Sequence, residues 1–211
     1  MILAIAVPIM VQNGITNFVS MIDNIMVGRV GTNEMSGVAI VNQLIMVFNL
    51  CIFGGVAGAG IFTAQFHGAR NTEGIRYTFR YKIIVVAIIT VLSIAIFLGF
   101  GEELIRLYLH GESGVEDAIA GTLHNAKVYL SVMLIGLPPF AISQAYGDTL
   151  RCSEETIVPM KAGVVSVIVN LSLNYVLIYG KLGAPALGVA GAAIATIIAR
   201  YVEMAYVVVW T

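Results

Sequence analysis

The sequence predicts an all-α integral membrane protein, a bundle of six transmembrane helices. Two observations carry that reading. Of the 211 residues, 59% are hydrophobic and only 11% are charged, whereas a soluble domain averages about 45–50% apolar and about 25% charged. Polar breaks also divide the chain into apolar stretches long enough to cross a bilayer, which takes about 20 residues each.

The spans fall at about 2–27, 35–66, 80–100, 124–147, 157–179 and 186–211, with residues 1–211 read as a single lobe. The first begins at once with MILAIAVPIM, without the positively charged stretch of a signal peptide, and a fragment boundary is the expectation there. GRVGTNE separates the first two spans, and HGARNTEGIRYTFRYK separates the second from the third. The third break contains ELIRLYL, expected as a short helix lying on the membrane surface. GDTLRCSEETIVP and GKLGAP close the fourth and fifth spans. Lys and Arg set orientation. The second and fourth breaks hold Arg70, Arg76, Arg80, Lys82, Arg151 and Lys161, against Arg29, Arg106, Lys127 and Lys181 in the odd ones. Both termini are therefore expected in the cytoplasm, in a multi-pass protein of the cell inner (plasma) membrane.

Other classes are disfavoured. A net charge of −1 lacks the basic face of a nucleic-acid binder. Cys51 and Cys152 show no framework spacing, and His67, His110 and His124 lack metal-ligand spacing. No cofactor and no metal site are expected.

Asp23 stands inside the first span, where a carboxylate costs about 2.5–3.5 kcal/mol on insertion scales. On a helical wheel Gln12, Asn13, Thr16, Asn17, Ser20, Asp23 and Asn24 share an arc of about 140°. One face of this helix meets lipid and the other lines protein or a wet cavity. Pro8 removes a backbone hydrogen bond from the same helix and is the expected hinge. On the fifth span Gly163, Ser166, Asn170 and Asn174 follow spacings of 3, 4 and 4 and share a face. Two asparagines one turn apart coordinate an ion, hydrogen-bond a carboxylate or glue helices together; the carboxylate on another helix favours a functional role. Close packing is expected at Gly54 and Gly58 in GGVAGAG, and at Gly188, Ala192 and Thr196. Arg200 and Glu203 are spaced to pair on one helix face and snorkel to the surface.

Four stretches in order, PIMVQNGITNFVSMIDNIMVGRVG, GIFTAQFHGARN, TLRCSEETIVP and NLSLNYVLIYGKLGAPALGVAGAAIATIIAR, resemble the N-terminal lobe of a MATE (multidrug and toxic compound extrusion) transporter. The resemblance runs over essentially the whole chain. It implies one lobe of a two-lobe secondary antiporter. Such a protein exports organic, often cationic, drugs or metabolites in exchange for H⁺ or Na⁺. Asp23 falls on the family's cation-coupling carboxylate, with Asn170, Asn174 and, more weakly, Thr196 as polar partners. Some members carry Asp where Asn174 stands, which leaves the choice between H⁺ and Na⁺ open. Glu154 departs from a frequent glycine. The implied partners are the lipid bilayer, a small organic substrate and a second lobe, with no nucleic acid.

Rival readings remain at this stage. Asp23 and Asp148 could pair in an intramembrane aspartyl protease, but AYGDTL lacks the GxGD pattern of such enzymes. A six-span noncatalytic subunit or channel fits the same composition. An exporter of lipid-linked sugars on a related fold would be expected to line its cavity with more cationic residues.

Overall fold

The structure is a computed structural model that describes residues 2–109, 116–181, 183 and 185–211. Its order is α1 (Ile2–Gly28), α2 (Thr32–Gly68), α3 (Thr72–Leu109), α4 (Glu116–Met133), a 3-10 turn (Leu134–Gly136), α5 (Leu137–Cys152), α6 (Ile157–Tyr179) and α7 (Gly188–Trp210). Among the described residues there is no strand. Five stretches among the described residues are long and apolar enough to cross a membrane: Thr32–Gly68, Thr72–Leu109, Ile119–Cys152, Ile157–Tyr179 and Gly188–Trp210. With 27 residues, α1 is about 40 Å long and also has the length to span.

Short connections between consecutive helices let most of them return beside one another. Asn71 helps to start α3, its Oδ1 accepting from the Gly74 N–H at 3.0 Å. Gly180 closes α6 in the left-handed conformation, with φ 65°, where glycine carries no Cβ penalty. At 37 and 38 residues, α2 and α3 are each about 55 Å long and outrun a hydrocarbon core of about 30 Å.

The continuity of α3 corrects one expectation. ELIRLYL is not a separate surface helix but the last turns of α3. Ile105 and Leu109 lie four residues apart and are both buried, so this stretch keeps an apolar stripe against the bundle. Gly101 allows the approach, since a Cβ there would come within 2.9 Å of Leu130 on α4. His110 and Glu112, in the same predicted break, lie outside the described residues.

The predicted fourth span is two helices joined by the 3-10 turn. Pro138 and Pro139 stand at the start of α5 and remove two backbone N–H donors, which breaks the regular ladder there. The core is built around α2, whose Val41, Phe48 and Ile52 are buried with Met133 of α4 and Leu137 of α5. Ile84, Ile88, Val91 and Leu92 of α3 remain exposed, as suits side chains whose solvent is lipid.

Glycine packing also differs from expectation. Cβ atoms at Gly54 and Gly58 would meet nothing within 4 Å. Within this stretch the close approaches are at Gly55, where a Cβ would meet Val85 at 2.8 Å, and Gly60, where it would meet Asp148 Oδ2 at 2.9 Å. Gly55 faces α3 and Gly60 faces α5, so the stretch packs against two helices instead of along one four-residue ridge. On α7 the tight glycine is Gly191, whose Cβ would lie 2.7 Å from the Leu177 carbonyl oxygen.

Candidate functional site

Helices α1 and α6 run side by side in the same direction. Three contacts fix their register: Gln12 Nε2 donates to the Pro159 carbonyl at 3.3 Å, Asn174 Nδ2 donates to Asp23 Oδ1 at 2.7 Å, and the Tyr179 hydroxyl donates to the Met26 carbonyl at 3.3 Å. A Cβ on Gly163 would come within 3.0 Å of Gln12, so the small residue on the polar face of α6 is what lets α1 lie close.

This register brings the carboxylate of α1 onto the asparagine ladder of α6. Assigned by its partners, the Asn170 amide points its nitrogen at Asp23, donating to Oδ2 at 3.1 Å and Oδ1 at 3.2 Å, while its oxygen accepts from Thr196 Oγ1 at 3.3 Å. Asp23, Asn170, Asn174 and Thr196 therefore form one connected group across α1, α6 and α7. Asn170 and Asn174 are buried. Asn174 Oδ1 is buried without a hydrogen-bond partner among the described residues. An unpaired acceptor in such a place is costly unless something donates to it or coordinates it.

The group opens on a cavity of about 350 Å³ that also reaches Asn24, Asn42, Asn49, Tyr129 and Arg200. Reading the sequence did not single out Asn42, Asn49 or Tyr129. Asn42 and Asn49 stand seven residues apart on α2 and share a helix face, a spacing that could have marked them, whereas Tyr129 stands alone on α4.

A second cavity, of about 600 Å³, takes the other half of the α1 arc: Gln12, Asn13 and Asn17. Asn49 lines both spaces. The side chains of Pro8, Thr16 and Ser20 lie outside the described residues; α1 is continuous helix through all three positions. Arg200 and Glu203 do not pair at the surface. Arg200 donates from Nη1 to the Gly136 carbonyl at 3.2 Å and rests over the Phe140 ring, 4.9 Å from its centroid. The 3-10 turn before the two prolines puts that carbonyl in its reach.

Lys82 and Asp148 are likewise not surface charges. Lys82 Nζ donates to Asp148 Oδ2 at 2.7 Å and to Thr149 Oγ1 at 3.2 Å, and the Lys82 side chain is 0% exposed. The pair ties α3 to α5. Asp148 lies outside the lining of the Asp23 cavity, so the two aspartates do not face one another as a protease dyad requires.

The fold and the buried polar group define a multi-pass helical membrane protein of the transporter class. The MatE family model matches residues 8–176, and the chain belongs to this family, whose members are transporters rather than enzymes. It is 30% identical over 201 residues to a probable multidrug resistance protein NorM of Thermotoga maritima, covering 95% of this chain and 42% of that one. It is 27% identical to the multidrug resistance protein MdtK of Pectobacterium atrosepticum, covering 99% of this chain and 44% of the relative. Two solved structures share the fold at TM-score 0.81 each: a MOP superfamily transporter from Pyrococcus furiosus at 23% identity, and an outward-facing multidrug resistance MATE family transporter at 22%. Both are covered over 44% of their length. The chain thus spans less than half the length of the proteins it matches.

Proposed function

We propose that this chain is the N-terminal lobe of a cation-coupled antiporter that exports amphipathic organic compounds, often cationic, from the cell across the plasma membrane. Asp23 is the coupling residue. Asn174, Asn170 and Thr196 hold it in place, and H⁺ or Na⁺ is the ion. Both termini face the cytoplasm, and a second six-helix lobe completes the substrate chamber.

The observation that carries this reading is the Asp23 group itself. A carboxylate held by two amide donors, beside an orphan amide oxygen in a polar cavity, is arranged to alternate between an empty and a cation-loaded state. When the ion arrives, the Asn174 oxygen gains the partner it lacks and the charge of Asp23 is neutralised. Loading removes the reason for the two amides to hold the carboxylate. It thereby weakens the α1–α6 contact, and α1 is free to bend at Pro8. Non-helical or strained backbone of that kind is tolerated in membranes where it lines a cavity.

The test is ion-driven efflux of a fluorescent organic cation from vesicles containing the two-lobed transporter. Asp23→Asn keeps the shape and removes the charge, and it is expected to abolish efflux driven by either gradient. Undiminished ion-driven efflux in that variant would refute the role given to Asp23.

A further inference from the structure

We propose that the groove between α2 and α3 is a site for an anionic phospholipid, with one acyl chain in the groove and the phosphate at Arg70 and Arg80. The inference goes beyond the transporter reading above and requires only that the chain spans a membrane.

The groove has a volume of about 550 Å³. Gly54, Gly58 and Ala59 of α2 form its floor, and Phe62 of α2 with Tyr77 and Tyr81 of α3 form its walls. Apart from the two tyrosine hydroxyls, the polar side chain lining it is Thr78. That hydroxyl is already occupied, donating to the Ile75 carbonyl at 2.9 Å and accepting from Thr63 Oγ1 at 3.1 Å. Gly54 and Phe66 mark the two ends, about 18 Å apart along the helix. Spread over that length, the volume gives a cross-section of about 30 Å², well below the roughly 80 Å² of a helix 10 Å across. A helix laid over this groove would leave it unfilled, whereas a single hydrocarbon chain fits inside it.

The charges stand at one end. Beyond Phe66 the chain turns through Arg70 into α3, and from His67 to Tyr81 it carries three arginines and one acid, Glu73. Arg80 lies three residues from Tyr77 and is its neighbour on the helix surface. Among the described residues neither Arg70 nor Arg80 closes an ion pair or donates a side-chain hydrogen bond, and the hydroxyls of Tyr77 and Tyr81 make none. Tyrosines of this kind sit at the level of the headgroups, where phosphate and ester oxygens accept from such donors. An anionic headgroup gives both guanidiniums the partner they lack; a choline headgroup would bring its own cation to the same place. Arg76 supplies a control, because it lines a different groove of about 260 Å³, with Tyr146 and Leu150 of α5.

The test uses phosphatidylglycerol and phosphatidylcholine bearing the same photoreactive diazirine acyl chain, each at trace level in phosphatidylcholine vesicles that contain the chain. Labelled residues are located by mass spectrometry. The phosphatidylglycerol probe is expected to label 54–66 and 77–81 about tenfold or more above the phosphatidylcholine probe, since each basic residue near the surface contributes about fivefold. Arg80→Gln should cut that excess about fivefold, and so should Arg70→Asn. The second variant is safe for the fold, because Arg70 has φ 54°, a conformation asparagine adopts more readily. Arg76→Gln should leave the excess unchanged. Gly58→Leu, at a position where a Cβ would meet nothing within 4 Å, should fill the groove and abolish its labelling with all the charges intact.

Equal labelling by the two probes would mean that bulk lipid fills the groove, and it overturns the proposal. A loss in Arg76→Gln as large as in Arg80→Gln would reveal diffuse attraction to a basic surface, and overturns it as a site. The same labelling is repeated on the two-lobed transporter, where its disappearance would show that the second lobe covers the groove and would overturn the lipid assignment. No outcome depends on efflux or on Asp23, so a coupling mechanism that fails leaves this measurement to stand or fall on its own.

Discussion

At the scale of single residues, Asp23 and Asn174 matter through one 2.7 Å hydrogen bond. Asn174→Ala removes the strongest donor to the carboxylate and the orphan oxygen beside it. We expect ion-driven efflux to fall as far as in Asp23→Asn, with a normal amount of protein in the membrane. Retained efflux together with wild-type ion dependence would show that Asn174 is only packing. Glu154 makes a different kind of prediction. It sits at φ 66° in the turn between α5 and α6, a conformation that costs a residue with a Cβ about 1–2 kcal/mol. This accounts for glycine at that position in the resemblance. Glu154→Gly should raise thermal stability in detergent by about 1 kcal/mol, and a lower melting temperature would contradict it. Asp23, Asn170 and Asn174 were legible in the sequence because helical spacing sorts polar side chains onto one face, and nothing else in an apolar span competes for that signal. Glu203 and Arg151 were not. Each lies near a span end, where a charge has an inexpensive explanation in snorkelling, and only the fold shows them facing one cavity, that of about 600 Å³.

At the scale of helices, packing depends on which small residue meets which neighbour. Gly191 is pressed onto the backbone of α6, while Gly54 faces open space. Gly191→Val should therefore cost about 1–3 kcal/mol or more through overpacking, and Gly54→Val should be nearly neutral. Equal melting temperatures for the two would refute this account of the α6–α7 contact. The Lys82–Asp148 pair gives a second element-scale test. Lys82→Met strands a mostly buried carboxylate and should destabilise by about 3–5 kcal/mol, whereas Lys82→Met combined with Asp148→Leu should recover most of the loss. A double variant no better than the single one would mean that the pair has a role beyond joining α3 to α5. The helices themselves were readable from composition, because a bilayer leaves little choice but helix for an apolar run. The break between α4 and α5 was harder to see. LIGLPPF is apolar throughout, so hydropathy runs straight across a place where two missing N–H groups interrupt the ladder. The end of α3 misled for the opposite reason: its charges read as surface while Ile105 and Leu109 kept it inside the bundle.

At the scale of the whole molecule, the question is what one lobe can do. The chain spans 42% and 44% of the NorM and MdtK relatives, and the proposed ion site lies wholly within it, on α1, α6 and α7. The elements around that site are held to one another. Gly191 locks α7 on α6, and the Lys82–Asp148 pair locks α3 on α5. Asn174 and Tyr179 bind α1 to α6, so apart from the bend proposed at Pro8 the lobe moves as a unit. Alternating access in transporters built from repeats comes from rocking one such unit against another. Ion binding and transport should therefore separate. In vesicles, the 211-residue chain alone is expected to bind the coupling ion at Asp23, detectable as loss of binding in Asp23→Asn, yet to move no organic cation against its gradient. Joining the chain to a second six-helix lobe of the family should restore ion-driven efflux. Efflux by the lone chain would mean either that two copies serve as the two lobes, which cross-linking would reveal as a dimer, or that α1 alone performs the alternation. A dimer would keep the rocking mechanism and move the second lobe to a second copy. An active monomer would refute rigid-lobe motion and place the whole transport cycle in the bending of α1.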